Sequence, residues 1–175
     1  MIAASPEPRQ TSAPATQAPA WQHALRAAFT RPAELLAYLE LDPALPSLDA
    51  ERLRDFPLRV PRGFAARMRK GDPKDPLFLQ VWPSAREAES APGFVQDAVG
   101  DLASAVGDGV LHKYQGRALL ITTGACAVHC RYCFRRHFPY SDALAARGHW
   151  QPALERLAAD PSFRAAILSG GDPLS

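Results

Sequence analysis

The sequence predicts an α/β protein in which a helical front region leads into the opening of a parallel sheet, and three observations carry that prediction. Leu35, Leu36 and Leu39 recur at helical spacing near the front. Two continuous apolar runs, residues 118–123 (ALLITT) and 163–169 (FRAAILS), read as strands covered on both faces. Between them, residues 150–161 (WQPALERLAADP) carry a helical pattern closed by Asp160-Pro161. Strand, loop, helix, strand is a βαβ unit, whose crossover is nearly always right-handed.

Taken in order, residues 1–20 are built from Ala, Pro, Ser, Thr and Gln, with too little to bury to offset the entropy of ordering; they are expected to be a disordered tail. Residues 21–29 and 30–41 read as two short helices, the second capped by Thr30, with Pro32 in its first turn and Asp42-Pro43 ending it. Residues 47–56 and 61–70 read as further short helices, the latter stopped by GDPKDP. From Ala91 to Gly109 four glycines break any period, and the stretch reads as loop. Residues 21–110 thus form a mainly helical region and residues 111–175 the start of a sheet domain. Two parallel strands do not make a stable sheet, so the sequence is expected to be the front portion of a longer protein.

Composition excludes little. A formal net charge of +2 over 175 residues announces neither a nucleic-acid nor a membrane partner. No window approaches a membrane span and the N-terminus lacks a secretory pattern, which places the expectation in the cytoplasm. All three cysteines stand together in CAVHCRYCFRRHF, residues 126–138: too few for a disulfide framework and without a distant partner. The spacing C-x3-C-x2-C directly after a strand leaves three readings: buried structural thiols, a zinc site completed by His129 or His137, or an iron–sulfur cluster. A four-iron cluster normally uses four thiolates, so three would leave one iron open to a small chelating molecule. SGGDP, residues 169–173, ends the next strand, where glycines permit close backbone approach to a ligand.

These two motifs in this order resemble the radical S-adenosylmethionine (SAM) superfamily. The resemblance implies that Cys126, Cys130 and Cys133 bind a [4Fe-4S] cluster. It also implies that Ser169, Gly170, Gly171 and Asp172 hold the amino group of SAM, with Tyr132 near the adenine. Reductive cleavage of SAM would then supply the radical that takes a hydrogen atom from substrate, and the fold would be the first two strands of a partial (β/α) barrel. The basic group Arg131, Arg135, Arg136 and His137 reads as a solvated face, a nucleic-acid patch or a set of anion clamps, arginine matching a carboxylate in two-point fashion.

LHKYQGRALLITTGACAVHCRYCFRRHFPY together with ILSGGDPL resembles, more narrowly, the lysine 2,3-aminomutase family, in the branch that supplies β-lysine for elongation factor P. LRVPRGFAARMRKGDPKDPLFLQV and APGFVQD fit that branch too, extending the likeness from about Leu58 to the end. The resemblance implies that Arg135 grips the carboxylate of L-lysine. The segment His112, Lys113, Tyr114, Gly116, Arg117 would lie on the phosphate side of pyridoxal 5'-phosphate (PLP), with Lys113 and Arg117 as its basic contacts. The implied activity is amino migration from the α- to the β-carbon of L-lysine, giving (R)-β-lysine. An external electron donor and a functional link to elongation factor P follow, without membrane or nucleic acid and with a homo-oligomer in view. The PLP-carrying lysine would lie beyond Ser175. An RNA-modifying radical enzyme and a non-catalytic zinc-binding module are the alternatives.

Overall fold

The computed structural model describes residues 20–45, 57–89, 91–145 and 150–174. The tail, up to residue 19, and the whole of the helix expected at 47–56 lie outside the described residues.

Among the described residues the front of the chain holds three short α-helices, α1 (Ala20–Arg26), α2 (Pro32–Tyr38) and α3 (Arg62–Ala65), the last two contributing to one apolar cluster. In α2 the helical spacing puts Leu35 and Leu36 inside, and Leu39 follows them; each fully buried leucine contributes about 1.5–3 kcal/mol. They meet Phe29, Val60, Phe78 and Trp82, and the last two rings stack at 5.3 Å. Phe29 and Val60 exchange backbone hydrogen bonds of 2.8 and 3.0 Å, which tie the two halves of this cluster together. The expected cap at Thr30 is corrected: Arg31 occupies the N-cap with no side-chain cap bond and pairs with Glu34 instead. The helix expected at 61–70 is a single turn. Gly63 weakens it, and the Asp75 carboxylate takes the Arg69 N–H at 3.2 Å, redirecting the chain.

The second half is a four-stranded sheet in the order β1-β2-β3-β4, built from β1 (Ala105–Gly107), β2 (Val110–Tyr114), β3 (Arg117–Thr123) and β4 (Ala165–Gly170). Only β3 and β4 pair in parallel, with Leu119 opposite Ile167; β1–β2 and β2–β3 are antiparallel. Two strands were thus hidden, one in the segment read as loop and one just after it. Asp108-Gly109 is the reason: both have positive φ, 56° and 73°, as a tight two-residue hairpin requires. The hairpin supplies the neighbours that two parallel strands alone would lack.

The crossover helix α4 (Gln151–Ala159) lies on one face of the sheet, where Val110, Ala118, Leu120, Ala145 and Ala153 form a second cluster. Ala153 and Leu157 make the inward face of α4, whereas Leu154 is exposed. The expectation of strands covered on both faces holds poorly for β4, whose Ile167 and Leu168 remain exposed among the described residues. No helix among the described residues is long and apolar enough to cross a membrane.

Candidate functional site

Because β3 and β4 run in parallel, their carboxyl ends deliver residues 124–126 and 169–172 to the same edge. The two loops are joined by backbone: Gly171 donates to Thr123 O at 2.7 Å and Asp172 to Ala125 O at 2.8 Å. The approach is close enough that a Cβ on Gly171 would stand 2.0 Å from Ala125 O. On the other side the Tyr140 ring lies against Gly124, and burial pushes its phenol up to about 12. The Asp172 carboxylate accepts the Leu174 N–H at 3.1 Å.

Cys126, Cys130 and Cys133 are free, half-buried thiols on the loop that follows. Short turns shape it, with Cys133 N–H to Cys130 O at 3.2 Å and Arg136 N–H to Cys133 O at 3.1 Å. The front region supports it from outside: His129 N–H reaches Arg59 O at 3.0 Å, Arg131 N–H reaches Gln80 O at 2.8 Å, and Val128 packs on the first cluster. Burial pushes the Cys126 thiol up, against the pull of the Asp172 backbone N–H, and Cys133 adds to the rise. Burial also raises Cys130, again helped by Cys133. Thiols that resist ionising in one another's company are a donor set whose strain a shared cation relieves, which suits an iron–sulfur cluster. The described residues hold no group of three His, Cys, Asp or Glu already at metal-ligand spacing. His129 turns its Nδ1–H to Pro57 O at 2.6 Å, and burial lowers its pKa.

Arg135 is the buried centre of the site. Its guanidinium is enclosed, with Nε donating to Asp101 Oδ2 at 2.7 Å and Nη1 to Ser169 Oγ at 2.9 Å and Gly170 O at 3.2 Å. Lys113 approaches the other Asp101 oxygen at 3.5 Å and also donates to Val99 O. One carboxylate therefore joins three residues that the sequence assigns to different ligands: Lys113, Arg135 and, through it, Ser169. Asp101 was missed because it sits in the glycine-broken stretch read as loop. The one available signal was chemical, since buried arginines need carboxylates, and it singled out none, because most of the acidic residues precede the strand.

The two other arginines of the basic group are paired as well. Glu87 takes Arg131 Nε at 2.7 Å and Arg136 Nη1 at 2.6 Å, while closing a capping box with Ser84. Three of the four basic side chains thus face carboxylates, which removes most of the charge a nucleic-acid patch would present. A cavity bordered by Phe134, His137 and Phe138 opens beside Arg135. Tyr132 stands out on the surface, its hydroxyl 3.5 Å from Gln80.

The phosphate-side residues are not gathered round one anion. Lys113 points inward to Asp101, whereas Tyr114 and Arg117 are exposed and pair at the amino end of β3, about 20 Å along the strand from the thiol loop.

No family model matches the chain. Among curated proteins it is similar to an L-lysine 2,3-aminomutase of Escherichia coli, 49% identical over 157 residues that cover 88% of this chain and 45% of that protein. It is likewise similar to L-lysine 2,3-aminomutases of Haemophilus influenzae, 44% identical over 88% of this chain and 46% of that one, and of Clostridium subterminale, 27% identical over 88% and 37%. The chain spans about half the length of the curated relatives it matches. At 49% and 44% identity over 88% of its length to the first two of these proteins, the chain belongs to the lysine 2,3-aminomutase family.

Proposed function

We propose that the polypeptide carrying this chain converts L-lysine to (R)-β-lysine, and that these 175 residues supply the part of the site that binds the cluster, SAM and the substrate carboxylate. The observation that supports this best is the convergence of three thiols, the SGGDP loop and a buried arginine at the carboxyl ends of two parallel strands, where α/β sheets place their ligands. On this reading the sheet is the opening of a partial (β/α) barrel.

Cys126, Cys130 and Cys133 would hold a [4Fe-4S] cluster, and Ser169, Gly170, Gly171 and Asp172 would receive the amino group of SAM. When bound, the cluster and SAM supply a radical for hydrogen abstraction, and PLP carries the amino group that moves. The protein's own part is placement: Arg135 offers a rigid, always-charged fork to a carboxylate, and its burial excludes water from that contact. The anchor for PLP and the contacts to the side-chain amine would come from outside these residues. The electron comes from an external donor, and β-lysine would serve the modification of elongation factor P in the cytoplasm.

Anaerobic incubation of the complete polypeptide with SAM, PLP, a reductant and L-lysine, followed by separation of the amino acids, tests the reading. Formation of β-lysine is expected, and the 175 residues alone should give none. Lysine returned unchanged while RNA acquires a modification would overturn the proposal in favour of the nucleic-acid alternative, and a single zinc with no labile sulfide would favour the interaction module.

A further inference from the structure

Asp101 is nearly inaccessible to solvent, yet its carboxylate faces two cations: Arg135 Nε at 2.7 Å and Lys113 Nζ at 3.5 Å. It is itself held in place, its N–H donating to Asp97 Oδ1 at 2.9 Å while Leu102 N–H reaches Asp97 Oδ2 at 2.9 Å. An arginine side chain has many rotamers, and a charge-assisted bond at Nε together with bonds at Nη1 fixes both the reach and the plane of the guanidinium. Nη2 makes no hydrogen bond among the described residues, so it is the part of the fork left for an incoming carboxylate.

We propose that Asp101 is the positioning residue of this site: its carboxylate aims Arg135 at the substrate carboxylate and screens Arg135 from Lys113. The inference rests on the reading of Arg135 as the carboxylate contact and adds what that reading lacks, the reason the guanidinium adopts one orientation in a buried setting. Without the negative charge, Arg135 and Lys113 would be two neighbouring cations with no counterion between them, and the fork would turn away from its aim.

The test uses the complete, cluster-loaded polypeptide carrying Asp101→Asn, with two probes: L-lysine and 1,5-diaminopentane, which keeps both amines but lacks the carboxylate. Equilibrium binding of L-lysine is expected to weaken tenfold or more, and that of 1,5-diaminopentane to change less than twofold, with iron and sulfide content unchanged. A merely structural role would weaken both probes alike, so equal losses overturn the proposal, as does unaltered L-lysine binding. If Asp101→Asn does not accumulate as folded protein, Asp101→Glu carries the same test. It keeps the charge but moves the carboxylate by one methylene, and at least a threefold loss confined to L-lysine is expected; no selective loss overturns the role. Wild-type protein that fails to bind L-lysine refutes the aminomutase reading itself, whereas wild type that binds it alongside an unaffected Asp101 variant refutes only the role of Asp101.

Discussion

Replacing Gly171 by alanine isolates the junction between the two ligand-bearing loops. The new Cβ would stand 2.0 Å from Ala125 O, 2.7 Å from its carbonyl carbon and 3.1 Å from its nitrogen. All three are backbone atoms, so no side chain can swing aside. Contact at van der Waals distance, about 3.5 Å, requires the two loops to part by about 1.5 Å. That movement breaks the 2.7 Å and 2.8 Å hydrogen bonds linking Gly171 to Thr123 and Asp172 to Ala125. Overpacking of this kind costs about 1–3 kcal/mol and each lost bond about 1 kcal/mol, giving about 3–5 kcal/mol in total. Gly63→Ala is the matched control: it lies in α3 with nothing within 4 Å of its added methyl, and a gain of about 0.4–1 kcal/mol is expected. Urea unfolding of the two variants in the complete polypeptide reads the difference, and cluster content reads whether the thiol loop moved with its neighbour. A Gly171→Ala protein within about 1 kcal/mol of wild type would refute the steric argument.

Three further outcomes follow from the same structure. Asp75 is buried, which by itself would raise its pKa; backbone N–H bonds from Phe78, Arg69 and Leu77, with the Arg69 side chain, outweigh this and hold it below its ordinary value. Its stabilising contribution is therefore whole above the unfolded carboxylate range near pH ~4 and fades as pH falls through the folded value, so Asp75→Asn should cost about 2 kcal/mol at neutral pH and flatten the acid limb of stability against pH. Cys130→Ser should remove most of the iron and labile sulfide gained on anaerobic reconstitution, measured by metal and sulfide analysis, while leaving far-ultraviolet dichroism unchanged. Glu87→Gln should release Arg131 and Arg136 and steepen the dependence of single-stranded RNA binding on salt by about 1.4 in log–log slope; tight RNA binding by wild type would show that the pairing does not mask these charges.

What could be read in advance followed periodicity and dense motifs. The spacing of Leu35, Leu36 and Leu39 located α2, and the apolar runs located β3 and β4, because burial leaves a period in the chain. The hairpin escaped because β1 has only three residues, all exposed, and four glycines around it suggested loop, although Asp108-Gly109 is itself a hairpin signal. The thiols were legible because three cysteines in eight positions have few uses. Asp101 and Glu87 were not, since an isolated carboxylate has no period and its arginine partners stand 34 to 49 residues downstream.

The front region is part of the site and not a detachable appendage. From residue 124 to residue 144 the thiol loop has no strand or helix of its own, so its shape depends on what it rests against. Much of that support is in the front half: Arg59 and Gln80 accept backbone N–H groups from His129 and Arg131, Pro57 takes the His129 ring, and Glu87 clamps Arg131 and Arg136 on either side of the last cysteine. Asp101 does the same for Arg135 from the segment just before the sheet. The core around Trp82 and Phe78 thus stiffens a surface on which three thiols and three arginines are set, while the sheet contributes the two strand ends that bring SGGDP beside them. A βαβ unit by itself would deliver the motifs to one edge and leave the loop between them to find its own conformation; the helical region restricts that choice before any ligand arrives.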